Sequence, residues 1–335
     1  KRLLTFDSRK SGDFRLHHLA MKIVALAGGV GGAKLAHGLA QVLSPEDLTV
    51  IVNTGDDFEH LGLSICPDLD TVCYTLAGLA NPETGWGRQN ETWNVTTNIE
   101  RLGGPNWFRL GDQDIATHLE RTRRLKEGKS LSQVTREFCE AWGIKQTVLP
   151  MSDSPVRTIV DTDEGELAFQ EYFVHRHCEP RVKGFRFDGI EGAQPAVGAN
   201  EALEAADAVI ICPSNPWVSI DPILRVPSLA PTPLPKGGGQ RFDKPVVAVS
   251  PIIDGKTVKG PAAKMYAELG IEPSALAVAE HYRNLLTGFV LDSQDKQLSD
   301  KFKKSKILVT DTLMNSSADR ARLAMDVLQF VGSLL

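Results

Sequence analysis

The stretch KIVALAGGVGGAKLAHGLAQV (residues 22–42), followed after a short turn by LTVIVN (48–53), decides the fold. KIVALA is an apolar run that stops at glycine, the pattern of a strand buried on both faces. Leu35, Leu39 and Val42 fall on one side of a helical wheel, so a helix follows the glycines and packs along that side. LTVIVN is a second buried strand. Strand, glycine loop, helix and strand form a βαβ unit, and its right-handed crossover begins a doubly wound, Rossmann-like, mostly parallel α/β sheet.

Outward from this unit, Pro67 opens a helix to about Leu79, with proline in the first turn. Residues 81–104 are polar and aromatic. Residues 113–125 and 130–142 read as two helices, the second opened by Ser130-Leu-Ser-Gln133, a capping-box pattern, and closed by Gly143. A strand is expected around Thr147, and Asp163-Glu164-Gly165 between β-rich flanks predicts a hairpin over 158–173. Together these pieces predict a smaller α+β lobe inserted at roughly 81–200. The sheet pattern resumes at AVIIC (208–212), PVVAVS (245–250), 288–291 and ILVT (307–310), with helices over 261–269 and 316–334. The Pro/Gly-rich stretch 228–244 predicts a mobile surface loop. Residues 21–335 are expected to form one composite domain. Residues 1–20 are basic, lack the apolar core of a signal peptide and precede the first methionine, Met21, so they are expected to lie outside the fold as an upstream extension.

The chain has 335 residues, 42% of them hydrophobic, enough for a large core, and a formal net charge of −5. That weakly acidic balance argues against a nucleic-acid backbone as partner, which demands a dense Lys/Arg surface. No apolar run is long enough to span a bilayer, so no membrane partner is expected. The five cysteines are dispersed, with no C-x-x-C pair, as expected of reduced thiols in a cytoplasmic protein.

A glycine-rich turn between strand and helix lets backbone N–H groups approach phosphate oxygens at a helix N-terminus. Gly28, Gly29, Gly31, Gly32 and Lys34 are the candidates. The dinucleotide fingerprint fails, because Lys34 occupies the place of its last small residue. The nucleoside-triphosphate P-loop fails too, because Gly32-Ala33-Lys34-Leu35 is not G-K-[ST]. A ligand-free tight turn is the plain alternative, and Lys34 is either a phosphate contact or a solvated helix residue. Beyond strand ends stand Asn53–Asp57, Met151-Ser152-Asp153-Ser154, Ser214-Asn215-Pro216 and Ser250-Pro251, small polar loops where open α/β sheets bind ligands. Each taken singly is an ordinary turn. Asp68, Asp70, Asp112 and Asp114 open helices, where acids are favoured whether or not they do chemistry, and as a set they offer hard oxygen ligands for Mg²⁺. Arg109 is placed to neutralise phosphate charge. His118 is expected to be a packed or capping residue, and the cluster His175-Arg176-His177-Cys178 to be structural or a surface patch.

AGGVGGAK (27–34), VNTGDD (52–57), PDLDTVCY (67–74), RLGDQDIATHLERT (109–122), LPMSDSPVRT (149–158), CPSNPWVSIDPI (212–223), SPIIDGKTVKGPAAK (250–264) and DTLM (311–314) stand in an order that resembles the 2-phospho-L-lactate transferase (CofD) family across nearly the whole fold. The resemblance implies a Mg²⁺-dependent transferase. It would join a guanosine-diphospho-activated small acid (phospholactate, phosphoenolpyruvate or phosphoglycerate) to the ribityl hydroxyl of the deazaflavin 7,8-didemethyl-8-hydroxy-5-deazariboflavin, Fo. GMP is released, and the product is a precursor of coenzyme F(420). The resemblance further implies a homodimer. Residue by residue, Asp70 and Arg109 match acceptor-contacting positions, with Asp112 beside them. Asp70 is either the base for the hydroxyl or a metal ligand. The glycine loop, Ser214-Asn215-Pro216 and Ser250 would hold the donor, with Met151-Ser152-Asp153 nearby. Two other readings stand against the transferase. A nucleotide- or nucleotide-sugar-binding regulator without transfer chemistry shares the glycine loop but not the PDLDT and RLGD segments. A nicotinamide dehydrogenase is disfavoured by Lys34.

Overall fold

The computed structural model describes residues 21–229, 243–303 and 305–335. Residues 1–20 and most of the Pro/Gly-rich stretch lie outside the described residues. Seven parallel strands form the central sheet: β1 (Ile23–Ala27), β2 (Leu48–Val52), β5 (Thr147–Pro150), β9 (Ala208–Ile211), β10 (Val246–Val249), β13 (Gly288–Asp292) and β14 (Lys306–Thr310). The smaller strands are β3 (Phe58–His60), β4 (Leu63–Ile65), β6 (Arg157–Thr162), β7 (Gly165–Ala168), β8 (Val182–Asp188), β11 (Ile252–Ile253) and β12 (Lys256–Thr257). The helices are α1 (Gly29–Val42), α2 (Pro67–Leu76), α3 (Asn94–Arg101), α4 (Asp112–Lys126), α5 (Leu131–Ala141), α6 (Ala199–Ala205), α7 (Asp221–Arg225), α8 (Ala262–Glu268), α9 (Ala275–His281) and α10 (Ser317–Gly332).

The sheet order is β14-β13-β10-β9-β1-β2-β5. The chain runs outward from β1 through β2 to β5, then returns to β9 on the other side of β1 and runs outward again. Ile23 of β1 is therefore paired with both Leu48 and Ala208. The reversal between β1 and β9 is the switch point at which such sheets open a crevice beyond their carboxyl ends.

Alternation along each strand feeds two separate cores. Ile23, Ala25, Val50, Ile210 and Val247 face Leu35, Leu39, Val72, Leu323 and Val327 from α1, α2 and α10. Val24, Leu26, Ile51, Val209 and Ala248 face Ala199, Leu203 and Val278 from α6 and α9. The sheet is thus covered on both faces, as its unbroken apolar runs require. α1 crosses α10 so closely that a Cβ at Gly38 would lie 2.1 Å from the Arg320 carbonyl oxygen.

The Ser130 capping box forms, and the β6–β7 hairpin turns at Asp163-Glu164. The expected α+β insertion at 81–200 is not contiguous. It gives β5 to the main sheet, which separates a helical part (α3–α5) from a three-stranded antiparallel sheet β7-β6-β8.

Candidate active site

A cleft of about 680 Å³ opens at the switch point. Its floor is the turn after β1. Gly29 has φ +61°, a conformation that glycine adopts without penalty, and a Cβ at Gly31 would lie 2.2 Å from the Pro213 carbonyl oxygen. The loop after β9 is thereby pressed onto the first turn of α1. Ser214 ties the two together: its Oγ accepts from the Gly28 N–H at 3.2 Å and donates to the Gly28 carbonyl at 2.9 Å. Gly32 packs beneath the same hydroxyl, with room for no side chain. Asn215 lines the cleft and caps the following turn by accepting from the Trp217 N–H at 3.1 Å, while Pro216 is buried behind it. Ser250 lines the cleft, its Oγ tied to both backbone groups of Ile252. Lys34 lines it as well and donates to the Met314 carbonyl at 2.9 Å.

One wall of the cleft is acidic. Asp56, from the loop after β2, and Asp68, from the first turn of α2, both line it and are both buried. Asn53 orients Asp68, donating from Nδ2 to Asp68 Oδ2 at 2.9 Å and holding itself through the Val218 carbonyl at 3.1 Å. Asp68 also accepts from the Gly29 N–H, so its carboxylate sits against the start of the glycine loop. Burial pushes Asp68 up to about 6 against these hydrogen bonds. Burial, with the neighbouring charges of Asp68 and Asp57, pushes Asp56 well above the usual carboxylate range. Among the described residues Asp56 Oδ1 is buried with no hydrogen-bond partner in place, while Asn53 and Thr158 stand beside the carboxyl and partly oppose its shift.

Other parts of the lining are apolar: Trp86, Trp107, Phe108, Phe169 and Phe173. Phe169 and Phe173 stack at 5.5 Å with planes 7° apart. Trp86 is 52% exposed and Phe173 37%, so flat apolar surface is presented to the cleft rather than to the protein core. Arg109 lies at this end, its guanidinium 4.6 Å over the Trp93 ring.

Several residues expected at the site are elsewhere employed. Asp70 does not line the cleft. Both its oxygens are held by the guanidinium of Arg121, one of them at 3.0 Å, and Arg121 itself is 2% exposed. Burial works against the guanidinium's charge, but the Asp70 carboxylate more than offsets it. Arg121 also donates to His118 Nδ1 at 3.1 Å, which leaves the imidazole proton on Nε2. Tyr74 donates to Asp114 at 2.7 Å, and burial together with the Asp70 charge pushes Asp114 up to about 7. This network clamps α2 to α4. His118 is buried within this network, and the sequence reading missed Arg121.

Asp112 accepts from the Thr92 hydroxyl at 2.6 Å and from the Asn94 and Val95 N–H groups at 3.2 and 3.0 Å, so it caps α3. Glu91 reciprocates by accepting from Gln113 and Asp114 N–H at the start of α4. Met151 is fully buried in the core; Ser152 donates to the Gln194 carbonyl; Asp153 accepts from the Ser132 N–H at 2.7 Å and caps α5. These three follow β5, at the sheet edge beyond β2, and do not reach the cleft. Among the described residues no helix is long and apolar enough to cross a membrane, and no group of three or more His, Cys, Asp or Glu forms a metal cage.

Residues 23–329 match the family described as 2-phospho-L-lactate transferase CofD. The chain belongs to the CofD family. A phosphoenolpyruvate transferase of Kitasatospora aureofaciens is 44% identical over 319 residues, 91% of this chain and 97% of that protein. A 2-phospho-L-lactate transferase of Methanopyrus kandleri is 40% identical over 317 residues, 94% and 99% of the two chains. Among solved structures, a UPF0052-family protein of Bacillus halodurans aligns with a TM-score of 0.56 at 15% identity, covering 92% of this chain and 99% of that one, which bears on the fold alone. This CofD-family protein is a transferase whose cleft pairs a glycine loop with aromatic side chains.

Proposed function

We propose that the protein transfers a phospho-small-acid group from a guanosine-diphospho-activated donor to the terminal ribityl hydroxyl of Fo, releasing GMP, in coenzyme F(420) biosynthesis. The observation that carries this reading is the two-sided cleft at the switch point, in a chain of the CofD family. The glycine loop, Ser214 and Lys34 suit a diphosphate, and the wall of Trp107, Phe108, Phe169 and Phe173 suits a flat tricycle. Phosphoenolpyruvyl is the favoured donor acid, because the relatives at 41–44% identity carry the name phosphoenolpyruvate transferase.

Mg²⁺ fits the acidic wall. A carboxylate resting on the glycine loop would repel a diphosphate unless a divalent cation lay between them, and Asp56 keeps an unpartnered buried oxygen beside Asp68. Asp56 and Asp68 are the residues that would hold it, in place of Asp70. Bound there, the ion supplies charge neutralisation for the phosphoryl oxygens. The remaining work falls to the chain. The ribityl oxygen forms a bond to the phosphorus nearer the small acid, the bond from that phosphorus to the GMP oxygen breaks, and GMP leaves. The hydroxyl proton passes to a carboxylate oxygen of the Asp56–Asp68 pair, the buried acids that line the cleft. Arg109 orients the acceptor, and the cradle aligns the donor, so that catalysis is alignment plus neutralisation.

Fluorescence titration of the protein with Fo, in the presence of GDP and Mg²⁺, is the first test, followed by GMP release with phosphoenolpyruvyl and phospholactyl donors. Saturable Fo binding and GMP formation are expected. GDP binding without Fo binding would instead point to a nucleotide-binding regulator and end the transferase reading.

A further inference from the structure

Two lysines, Lys34 and Lys259, line the cleft beside the glycine loop, and the sequence reading used only the first. Several cations have acidic partners: Arg121 with Asp70, Lys129 with Glu137, Lys264 with Glu268. Among the described residues, Lys34 and Lys259 have none within ion-pair distance; their recorded contacts are carbonyls, Met314 for Lys34 and Thr84 for Lys259, the latter at 2.5 Å. An ammonium has three donors, so each lysine keeps two for a ligand.

The position of Lys259 is specific. A Cβ built at Gly85 would lie 3.2 Å from Lys259 Nζ and 2.7 Å from Val30 Cγ1, so the ammonium stands close to the glycine loop itself. It is carried there by the turn after the β11–β12 hairpin. That hairpin is anchored by fully buried Ile252 and by the Asp254 N–H donating to Asp295 at 3.2 Å, and the Thr257 hydroxyl accepts from Ala263 N–H at 2.9 Å where α8 begins. Lys34 holds its proton less tightly than an ordinary lysine, first through burial and then through the charges of Arg320 and Lys259. Unpaired positive charges gathered around a loop of backbone N–H groups raise the energy of the empty site and are relieved by a polyanion.

We propose that Lys259 completes the cradle as a second cation, holding a diphosphate beside the glycine loop together with Lys34. The proposal deepens the functional reading only in naming which part of the donor is held. It depends on a diphosphate, not on guanine or on Fo. Lys259 is exposed, so its replacement leaves the core untouched.

Calorimetric binding of GDP, GMP and inorganic pyrophosphate, each with Mg²⁺, to the full-length protein and to Lys259→Gln and Lys259→Arg tests it. Lys259→Gln is expected to weaken GDP and pyrophosphate about tenfold or more, and GMP less than about twofold, because GMP lacks the second phosphate that the added cation would hold. Lys259→Arg should recover most of the loss, which a merely structural role would not predict. Equal weakening of GDP and GMP, or unchanged GDP affinity, overturns the proposal, as does a wild-type protein that binds no diphosphate at all. Wild-type protein that binds pyrophosphate but no guanosine nucleotide would overturn the nucleotide reading alone, and the Lys259 comparison on pyrophosphate would still decide this one.

Discussion

Asp68 and Asp70 stand two residues apart on the first turn of α2 and are equally buried, at 7% and 6% exposed, yet they serve opposite sides of the helix. Two residues on a helix are separated by about 200°. Asp68 therefore turns toward the glycine loop, while Asp70 turns toward α4 and is claimed by Arg121. The first acid is buried without a cation and is held only by Asn53 and a backbone N–H. The second is buried with a matched guanidinium. Burial alone thus says nothing of role; the partner does. A buried acid lacking its cation is the one poised to receive a metal, a proton or a substrate.

The largest expected effect separates the two acids kinetically. Asp68→Asn should lower kcat by about 10³-fold with little change in Tm, since a desolvated charge is removed. Asp70→Asn should lose stability instead, and whatever protein stays folded should turn over within about tenfold of wild type. Steady-state kinetics beside thermal unfolding checks both, and the reverse pattern would return the chemistry to Asp70.

Next in size is the clamp itself. Arg121→Met strands the Asp70 carboxylate and should cost about 3–5 kcal/mol of unfolding free energy, whereas the double variant Arg121→Met/Asp70→Asn should recover part of that loss. Additive losses in denaturant titrations would show that the pair is not coupled.

A smaller effect tests Asp114 on the same network. Its carboxyl is pushed up to about 7 in the folded protein, above the unfolded value, so the folded state binds the proton more tightly. That contribution is fully present below about pH 4 and is lost as pH rises toward 7. Asp114→Asn should therefore raise Tm at pH 8, by about 2 °C or more, and change it little near pH 4. Equal shifts at both pH values would remove Asp114 from the account. Smallest of all, Asp153→Ala should cost about 1 kcal/mol by uncapping α5 while kcat and KM stay unchanged. A raised KM would bring the loop after β5 back to the site.

The central sheet was legible because its strands are apolar runs closed by glycine, proline or polar turns, and nothing in the core competes with that signal. The glycine loop, Lys34 and Ser214 were legible because the switch point follows from strand order. β8 was not: VKGFRFD carries a glycine and three charges, and its register against β6 shifts at Asp161/Thr162. β3 is only three residues long, too short to show a period. Among the acids, the family pattern drew attention to Asp70 although the helical rotation within PDLD already set Asp68 on another face. Arg121 lay hidden in HLERTRR, where most neighbours are solvated charges and only the fold shows which one turns inward. Met151, Ser152 and Asp153 share a strand end with the cleft residues, but β5 is two strands removed from β1, a distance that strand count alone does not reveal.

The pairing of β1 with β9 has a consequence for how the protein is made. Ile23 waits for Ala208, and Gly38 for Arg320, partners that leave the ribosome long afterwards. At roughly 5–20 residues per second, the nascent chain spends on the order of 10–35 s with one edge of β1 open before β9 emerges. Throughout that interval an apolar strand edge is free to recruit another chain. Yield during synthesis should therefore depend on chaperone supply and elongation rate more than the stability of the finished enzyme would suggest.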